Sequence, residues 1–218
     1  MSIKQTSEVL DERNDPPSKR IKTTKKSGPN ILITGTPGVG KSNLCRALLE
    51  KDPTGIQWIN IGAYAKEHEL LGQYDETYQC HELEEDKIID DLENTMDRIS
   101  EPKNAELSSS SKRQCTTVLI DHQVTDFFPE RWFDIVFVLR TDNTILYDRL
   151  GKNGRGYSGK KLEDNIECEI FQTILDEAKE SYPEEIVHEL PSNTENDLKQ
   201  NVERIISWIS QWLKDNKS

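Results

Sequence analysis

Residues 30–43, NILITGTPGVGKSN, constrain the possible folds of this chain more than any other stretch. The apolar, β-branched run at residues 31–33 predicts a buried strand, and leucines at helical spacing after Asn43 predict a helix. Between them, the residues that begin at Gly35 match the pattern G-x-x-x-x-G-K-S. Because strand, loop and helix follow in this order, the sequence favours a phosphate-binding P-loop over an ordinary glycine-rich turn.

The residue types in this loop suit the binding of a triphosphate. Gly35, Gly38 and Gly40 allow a positive φ and leave no Cβ between the main-chain N–H groups and a phosphate. The helix that follows adds partial positive charge at its N-terminus. Lys41 is long enough to reach the β- and γ-phosphates, and the hydroxyl of Ser42 is a candidate Mg²⁺ ligand.

Length, charge and cysteine spacing limit the classes of protein to consider. The chain has 218 residues, which predicts one medium-sized domain, and a net charge of −12, which argues against general coating of nucleic acid. Its four cysteines lack C-x-x-C spacing, so we expect reduced thiols in an intracellular protein and no zinc site. We see no signal peptide and no long apolar run, and expect no membrane segment.

The charge is unevenly distributed along the chain. Residues 1–28 hold seven basic and four acidic side chains, so the remainder carries a net charge of −15. This polar segment lacks aromatic residues, and we predict that residues 1–28 form a disordered basic tail. Its SKRIKTTKK run is typical of a nuclear-import signal and is equally compatible with a solvated tail that carries no address.

Strands alternate with helices along the rest of the chain. Runs rich in β-branched residues predict strands at residues 31–33, 57–61, 116–121, 135–140 and 185–190. Helical periodicity predicts helices at residues 63–71, 84–99, 143–150, 162–181 and 198–213, the last with a capping box that begins at Ser192. Residues 72–82 read as a loop and the serine-rich residues 101–114 as a flexible insertion. This alternation predicts an α/β fold: a parallel five-stranded sheet flanked by helices.

A second candidate site residue ends the predicted strand at residues 116–121. Phosphoryl transfer beside a P-loop needs a carboxylate that holds Mg²⁺ directly or through water, and Asp121 has that position. The alternative is an aspartate that only caps a turn, and the nearby P-loop favours the metal role. Downstream, Arg131 is placed either to contact a substrate phosphate or to pair with Glu130 on the surface.

The glycine-rich residues 151–161, GKNGRGYSGKK, predict a mobile cationic loop. A kinase must exclude water, which competes with the acceptor, and a hinged basic lid does so while adding positive charge. Arg155 lies between two glycines and has the best position for such a contact, with Lys160 and Lys161 close by. The alternative is a solvated turn whose charges contact only salt.

Several long segments together resemble one known family. In chain order they read PNILITGTPGVGKS, QYDETY, LEEDKIIDDLE, DFFPERWFDIVFVLRTD, RGYSGKKLEDNIECEIFQ and EEIVHELPSN. They are similar to the adenylate kinase isoenzyme six group, small P-loop nucleotide kinases also described as coilin-interacting ATPases and as ribosome-assembly factors. The resemblance covers residues 29–218 apart from the serine-rich insertion, and it implies a P-loop NTPase fold of the adenylate-kinase type with a short lid.

The same resemblance implies an activity, partners and site residues. The implied reaction is transfer of the γ-phosphate of ATP to AMP with Mg²⁺, or hydrolysis of ATP. The implied partner is a small-subunit ribosomal protein, with a role in small-subunit rRNA maturation in nucleus and cytoplasm. We expect a monomer that binds no specific DNA sequence. The monophosphate-binding segment would be residues 60–83 and the lid residues 154–164. The implied ATP contacts are Gly38, Gly40, Lys41, Ser42, Asn43 and Arg155; the catalytic candidates are Lys41, Asp121 and Arg155, and the metal ligands Ser42 and Asp121.

Three positions depart from the family pattern. The usual Asp-x-His reads Asp121-His122-Gln123, so Gln123 replaces the histidine. Because the Gln123 amide can still orient a water, we expect ATP hydrolysis to be weakened or altered rather than excluded. Lys66 replaces an arginine and keeps the charge without the bidentate fork. Ala63 replaces an acid. Three functions stay open: a nucleoside monophosphate kinase, an assembly ATPase and a nucleotide-binding scaffold with little turnover.

Overall fold

The computed structural model describes residues 26–78, 80–100, 117–152 and 154–216, and within them the strands form two sheets. The strands are β1 Asn30–Thr34, β2 Ile56–Asn60, β3 Leu71–Asp75, β4 Cys80–Leu83, β5 Thr117–Asp121, β6 Ile135–Arg140 and β7 Val187–Pro191. Five of them form one parallel sheet in the order β2-β5-β1-β6-β7. The predicted parallel five-stranded sheet is therefore confirmed.

The register of this sheet brings three chain segments to one edge. Strands β1 and β5 are buried along their whole length, as β-branched strands covered on both faces by helices usually are. In the pairing of β1 with β5, Ile33 lies opposite Asp121, and in the pairing of β2 with β5, Asn60 lies opposite the same residue. The loop after β1, the end of β5 and the end of β2 therefore meet.

Seven helices of the described residues cover the two faces of the sheet. They are α1 Lys41–Lys51, α2 Ile61–Glu67, α3 Glu85–Ser100, α4 Asn143–Leu150, α5 Gly159–Ile170, α6 Thr173–Ser181 and α7 Glu195–Asp215. One apolar core joins α1, α4 and α7 to the sheet, and a second joins α2, α3 and α6 to its opposite face. Each fully buried leucine or isoleucine contributes about 1.5–3 kcal/mol, so both cores stabilise the edge that carries the P-loop.

The prediction of a loop at residues 72–82 is wrong, because β3 and β4 pair there as an antiparallel hairpin. Its turn is held by Asp75, whose Oδ1 accepts hydrogen bonds from the main-chain N–H groups of Thr77 and Tyr78. Much of the hairpin is exposed and rich in acids, so the alternation of apolar and polar residues that indicates a strand is weak. The helix predicted to reach residue 71 also ends earlier, where Glu69 takes a left-handed φ of 59°.

The single helix predicted at residues 162–181 is also wrong, because the chain forms α5 and α6 there. Gln172 breaks the predicted helix with a left-handed φ of 60°, and its carbonyl oxygen accepts hydrogen bonds from the N–H groups of Leu175 and Asp176 in the first turn of α6. The cationic loop is shorter than predicted, since α5 already begins at Gly159. The capping box of α7 begins at Thr194 and pairs it with Asp197, which corrects the prediction of Ser192.

Two predicted segments lie largely outside the described residues. These are the basic tail at residues 1–28, of which only 26–28 are described, and the serine-rich insertion at residues 101–114. At residue 26, within the predicted tail, Lys26 forms an ion pair of 3.2 Å with Asp134. In the described part of the chain, no helix combines the length and the apolar character needed to span a membrane.

Candidate nucleotide-binding site

The loop after β1 has the backbone that its glycines predict. Gly35, Gly38 and Gly40 have φ values of 135°, 94° and 106°, which side chains with a Cβ rarely adopt. A Cβ on Gly35 would also lie 2.6 Å from the main-chain oxygen of Leu139 on the neighbouring strand. The loop can therefore follow this path, close to β6, only with glycine at that position.

Lys41 begins α1 and curls back over the loop. Its Nζ donates hydrogen bonds to the main-chain oxygens of Gly35, at 2.6 Å, and Thr36, at 3.2 Å. Burial lowers its pKa to about 8; the negative charge of Asp121 opposes this shift and the positive charge of Arg155 adds to it. The ammonium group is thus partly desolvated, and the nearby negative charge only partly offsets the cost of that desolvation. The negative charge of a bound phosphate would offset the rest.

The lowered pKa of Lys41 predicts that ATP binding is linked to proton uptake. Phosphate favours the ammonium form, so we expect bound ATP to raise this pKa and each binding event to take up close to one proton at pH 8.5–9. The affinity should fall up to about tenfold per pH unit as pH rises above 8. Calorimetry in two buffers of different ionisation heat measures the uptake.

Two observations check this assignment. The Lys41→Met variant should bind ATP more weakly, with no proton uptake in this range. The second observation is the stability of the protein without ATP. Because the pKa of Lys41 in the folded protein lies below its ordinary value of 10.5, the ammonium form destabilises the unliganded fold below pH 8. This loss of stability decreases as pH rises from 8 to 10.5. Equal proton uptake in wild type and variant would show that another group titrates.

Asp121 lies at the centre of a second cluster beside the loop. The residue is 2% exposed, and its Oδ2 accepts hydrogen bonds from Ser42 Oγ and from Asn60 Nδ2, each at 2.9 Å. A hydroxyl and a carboxylate in contact form the hard oxygen donor set that Mg²⁺ prefers. The two residues predicted as metal ligands are therefore neighbours, and their chemistry fits Mg²⁺.

One cleft of about 400 Å³ collects all the predicted ATP contacts. Its lining includes Gly38, Gly40, Lys41, Ser42, Asn43 and Arg155. It also includes Arg149 and the loop between β7 and α7, which the sequence did not indicate. Arg149 fixes this loop, because its guanidinium donates to the main-chain oxygens of Ser192, at 2.8 Å, and Asn193, at 3.0 Å. The α7 end of the cleft is thus tied to α4 and to the segment that carries Arg155.

The predicted lid touches the β3–β4 hairpin. The hydroxyl of Tyr78, in the hairpin turn, donates to Asp164 Oδ2 at 2.7 Å, and Lys161 donates to the main-chain oxygen of Tyr78. Lys160 lies 5.6 Å from the centre of the Tyr78 ring, and Lys161 lies 4.4 Å from that of Tyr157. These two lysines therefore face aromatic rings, and Arg155 is the lid cation that lines the cleft.

Removal of the Tyr78 hydroxyl is expected to loosen the contact between hairpin and lid. The lost hydrogen bond contributes about 1 kcal/mol, so Tyr78→Phe should open the lid about fivefold more often. Hydrogen–deuterium exchange of the amides at residues 154–161 should rise by that factor. Tyr74→Phe, on the exposed face of the same hairpin, should leave exchange unchanged. Equal exchange in Tyr78→Phe and wild type would mean that the contact does not restrain the lid.

The residues after Asp121 do not supply a titrating group at neutral pH. Burial, followed by the positive charge of Lys41, lowers the pKa of His122 to about 3, so its ring is neutral. This ring packs edge-on against Phe127, with centroids 5.5 Å apart, while Gln123 is exposed. A neutral imidazole beside the lysine adds no competing positive charge.

Both interpretations offered for Arg131 are wrong. Its guanidinium pairs with Glu93 of α3 at 2.7 Å rather than with Glu130. It precedes β6 and so lies toward the amino ends of the strands, whereas the P-loop follows the carboxyl end of β1. Lys66 and Ala63 are both exposed on α2, the helix that follows Asn60.

Comparison with known proteins identifies the family of this chain. Residues 31–172 match the family model described as AAA domain. A Caenorhabditis elegans protein named adenylate kinase isoenzyme 6 homolog is 45% identical over 86% of this chain and 92% of its own. A Dictyostelium discoideum protein of the same name is 42% identical over 88% of this chain and 98% of its own. Adenylate kinase isoenzyme 6 homolog FAP7 of Saccharomyces cerevisiae is 40% identical over 87% of this chain and 86% of its own.

Among solved structures, the tunicamycin resistance protein of Deinococcus radiodurans is similar, with a TM-score of 0.51 and 16% identity. The match covers 84% of this chain and 95% of that one, and it supports the fold alone. The P-loop geometry and the three relatives lead to the same conclusion. The chain belongs to the adenylate kinase isoenzyme 6 family, within the P-loop nucleotide kinases.

Proposed function

We propose that this protein transfers the γ-phosphate of ATP to AMP and releases two molecules of ADP. The observation that carries this proposal is the convergence of charges at one cleft. Lys41, Ser42 and Arg155 line the cleft, and the carboxylate of Asp121 is 2.9 Å from the Ser42 hydroxyl. The names of the relatives, adenylate kinase isoenzyme 6 homologs, favour a nucleoside monophosphate as the acceptor.

The residues of the cleft would act mainly by position and charge. The main-chain N–H groups of the loop and the start of α1 hold the β- and γ-phosphates, and Lys41 neutralises the oxygens that carry the developing charge. Arg155 approaches from the lid side. Ser42 and Asp121 would hold Mg²⁺, which would supply positive charge to the phosphate oxygens when bound.

The acceptor would enter between the P-loop and the β3–β4 hairpin. An oxygen of the AMP phosphate attacks the γ-phosphorus, and the bond from that phosphorus to the β–γ bridging oxygen breaks. Contact between lid and hairpin through Tyr78 excludes water, which would otherwise take the phosphoryl group. Lys66 of α2 is a candidate contact for the AMP phosphate, and it offers charge without a bidentate fork.

The proposal is tested by assaying purified protein with Mg²⁺ and ATP, with and without AMP. ADP that appears only with AMP, without matching release of inorganic phosphate, supports the kinase. Bound ATP without turnover under either condition overturns it and supports the nucleotide-binding scaffold.

A second candidate function is an assembly ATPase that acts on a basic ribosomal protein. The net charge of −15 outside residues 1–28 favours encounter with such a partner. Gln123, exposed two residues after Asp121, has an amide that can orient an attacking water. Phosphate release stimulated severalfold by a small-subunit ribosomal protein supports this function. Release that the ribosomal protein leaves unchanged argues against it.

A further inference from the structure

Asn60 makes two hydrogen bonds that connect the acidic cluster to helix α2. It is the last residue of β2, and its Nδ2 donates to Asp121 Oδ2 at 2.9 Å. Its Oδ1 accepts from the main-chain N–H of Ala63 at 3.0 Å, which makes Asn60 the N-cap of α2. A main-chain N–H can only donate, so the oxygen of the amide must face the helix and the nitrogen must face the carboxylate.

Asp121 depends on such a donor because its carboxylate is buried. Ser42 and Asn60 both donate to Oδ2, and within the described residues Oδ1 accepts no hydrogen bond. Ser42 belongs to the P-loop, and if its hydroxyl holds Mg²⁺ as proposed, it would give up this hydrogen bond when the metal binds. Asn60 stands outside the loop and can keep Oδ2 in place throughout, so that Oδ1 would be available to hold the metal or its water.

The second hydrogen bond links this carboxylate to the predicted acceptor side. Helix α2 begins directly after Asn60 and carries Ala63 and Lys66 on exposed positions of residues 60–83, the predicted monophosphate-binding segment. One side chain therefore holds both Asp121 and the first turn of this helix. A shift of the helix changes the position of the amide and, with it, that of the carboxylate.

We propose that Asn60 is a positioning residue that keeps Asp121 aligned with the metal–phosphate site and ties this alignment to the position of α2. The inference rests on the proposed kinase function. Loss of a residue that holds a metal ligand in place typically lowers metal affinity or activity about ten- to a hundredfold. A residue that only caps a helix affects stability and leaves the metal dependence unchanged.

Two substitutions at this position separate these roles. Asn60→Ser retains an effective N-cap, but a hydroxyl that caps α2 is too short to reach Asp121 as well. Asn60→Ala removes both contacts. We expect both variants to lower kcat about tenfold or more and to raise the Mg²⁺ concentration at half-maximal rate at least threefold, with KM for ATP changed less than threefold. The melting temperature should fall further in Asn60→Ala than in Asn60→Ser, because both variants lose the hydrogen bond to Asp121 and only Asn60→Ala also loses the helix cap.

A binding measurement keeps this test independent of turnover. Mn²⁺ binding to the protein with ATP, followed by electron paramagnetic resonance, should weaken at least threefold in Asn60→Ser. If Asn60→Ser matches wild type in kcat, Mg²⁺ dependence and Mn²⁺ binding, Asn60 is only a cap and the inference is overturned. If wild type transfers no phosphate to AMP, the proposed function fails, and Mn²⁺ binding alone then decides the inference.

Discussion

Replacing Lys41 by methionine is expected to lower the turnover of ATP by about a hundred- to a thousandfold, the range for loss of one preorganised charge at a transition state. Methionine retains much of the side-chain length and removes the ammonium group. Arg149, one of the two arginines that line the cleft, already donates to the carbonyl oxygens of Ser192 and Asn193 and is poorly placed to replace the Lys41 ammonium group. ADP formation, followed with AMP present, measures the loss.

The fold should survive this substitution. Because burial lowers the pKa of Lys41 to about 8, the buried ammonium costs stability, so the variant should melt at or above the temperature of wild type. Lys51→Met, at the exposed end of the same helix, is the matched control and should keep full activity. Unchanged ADP production in Lys41→Met, with the fold intact, would contradict the site assignment.

The P-loop could be predicted because its chemistry is local in the sequence. Gly35, Gly40, Lys41 and Ser42 lie within one short motif, and all act through a backbone shape that glycine alone adopts easily. Asp121 needed one further step, since it lies 79 residues after Ser42. The carboxyl ends of parallel strands share an edge, and this rule was enough to place the two residues together.

The contact of Asn60 with Asp121 and the role of Arg149 at the cleft could not be predicted, because they depend on strand register and on loop packing. Asn60 faces Asp121 only because β2 pairs with β5 in one register, and a shift of one residue would turn it to the other face. In the sequence, Arg149 lies in the last turn of an ordinary amphipathic helix, and that position does not indicate a role at the site. Its role appears only where the loop after β7 presents two carbonyl oxygens.

The hairpin and the break between α5 and α6 were missed for a different reason. Strand prediction relies on a buried face, and β3 and β4 lie largely on the surface, where polar residues predominate and no regular apolar alternation appears. The break at Gln172 uses a left-handed residue other than glycine, which leaves no signal in composition.

Asp121→Asn is the second substitution with a large expected effect, a loss of kcat of about a hundredfold or more. Asparagine has the same shape but lacks the charge that would hold Mg²⁺, so the Mg²⁺ concentration at half-maximal rate should rise at least tenfold. The charge of Asp121 also opposes the lowering of the Lys41 pKa. Its removal should therefore move the alkaline limit of ATP binding to lower pH.

This double effect distinguishes a metal-holding aspartate from one that caps a turn. A capping residue would alter stability and leave both the Mg²⁺ requirement and the pH limit of ATP binding unchanged. Asp126→Asn, an exposed acid beyond the same strand, is the matched control and should change neither. If Asp121→Asn keeps the wild-type Mg²⁺ dependence, the carboxylate serves the fold alone, and the hydrogen bond from Asn60 then has only a structural meaning.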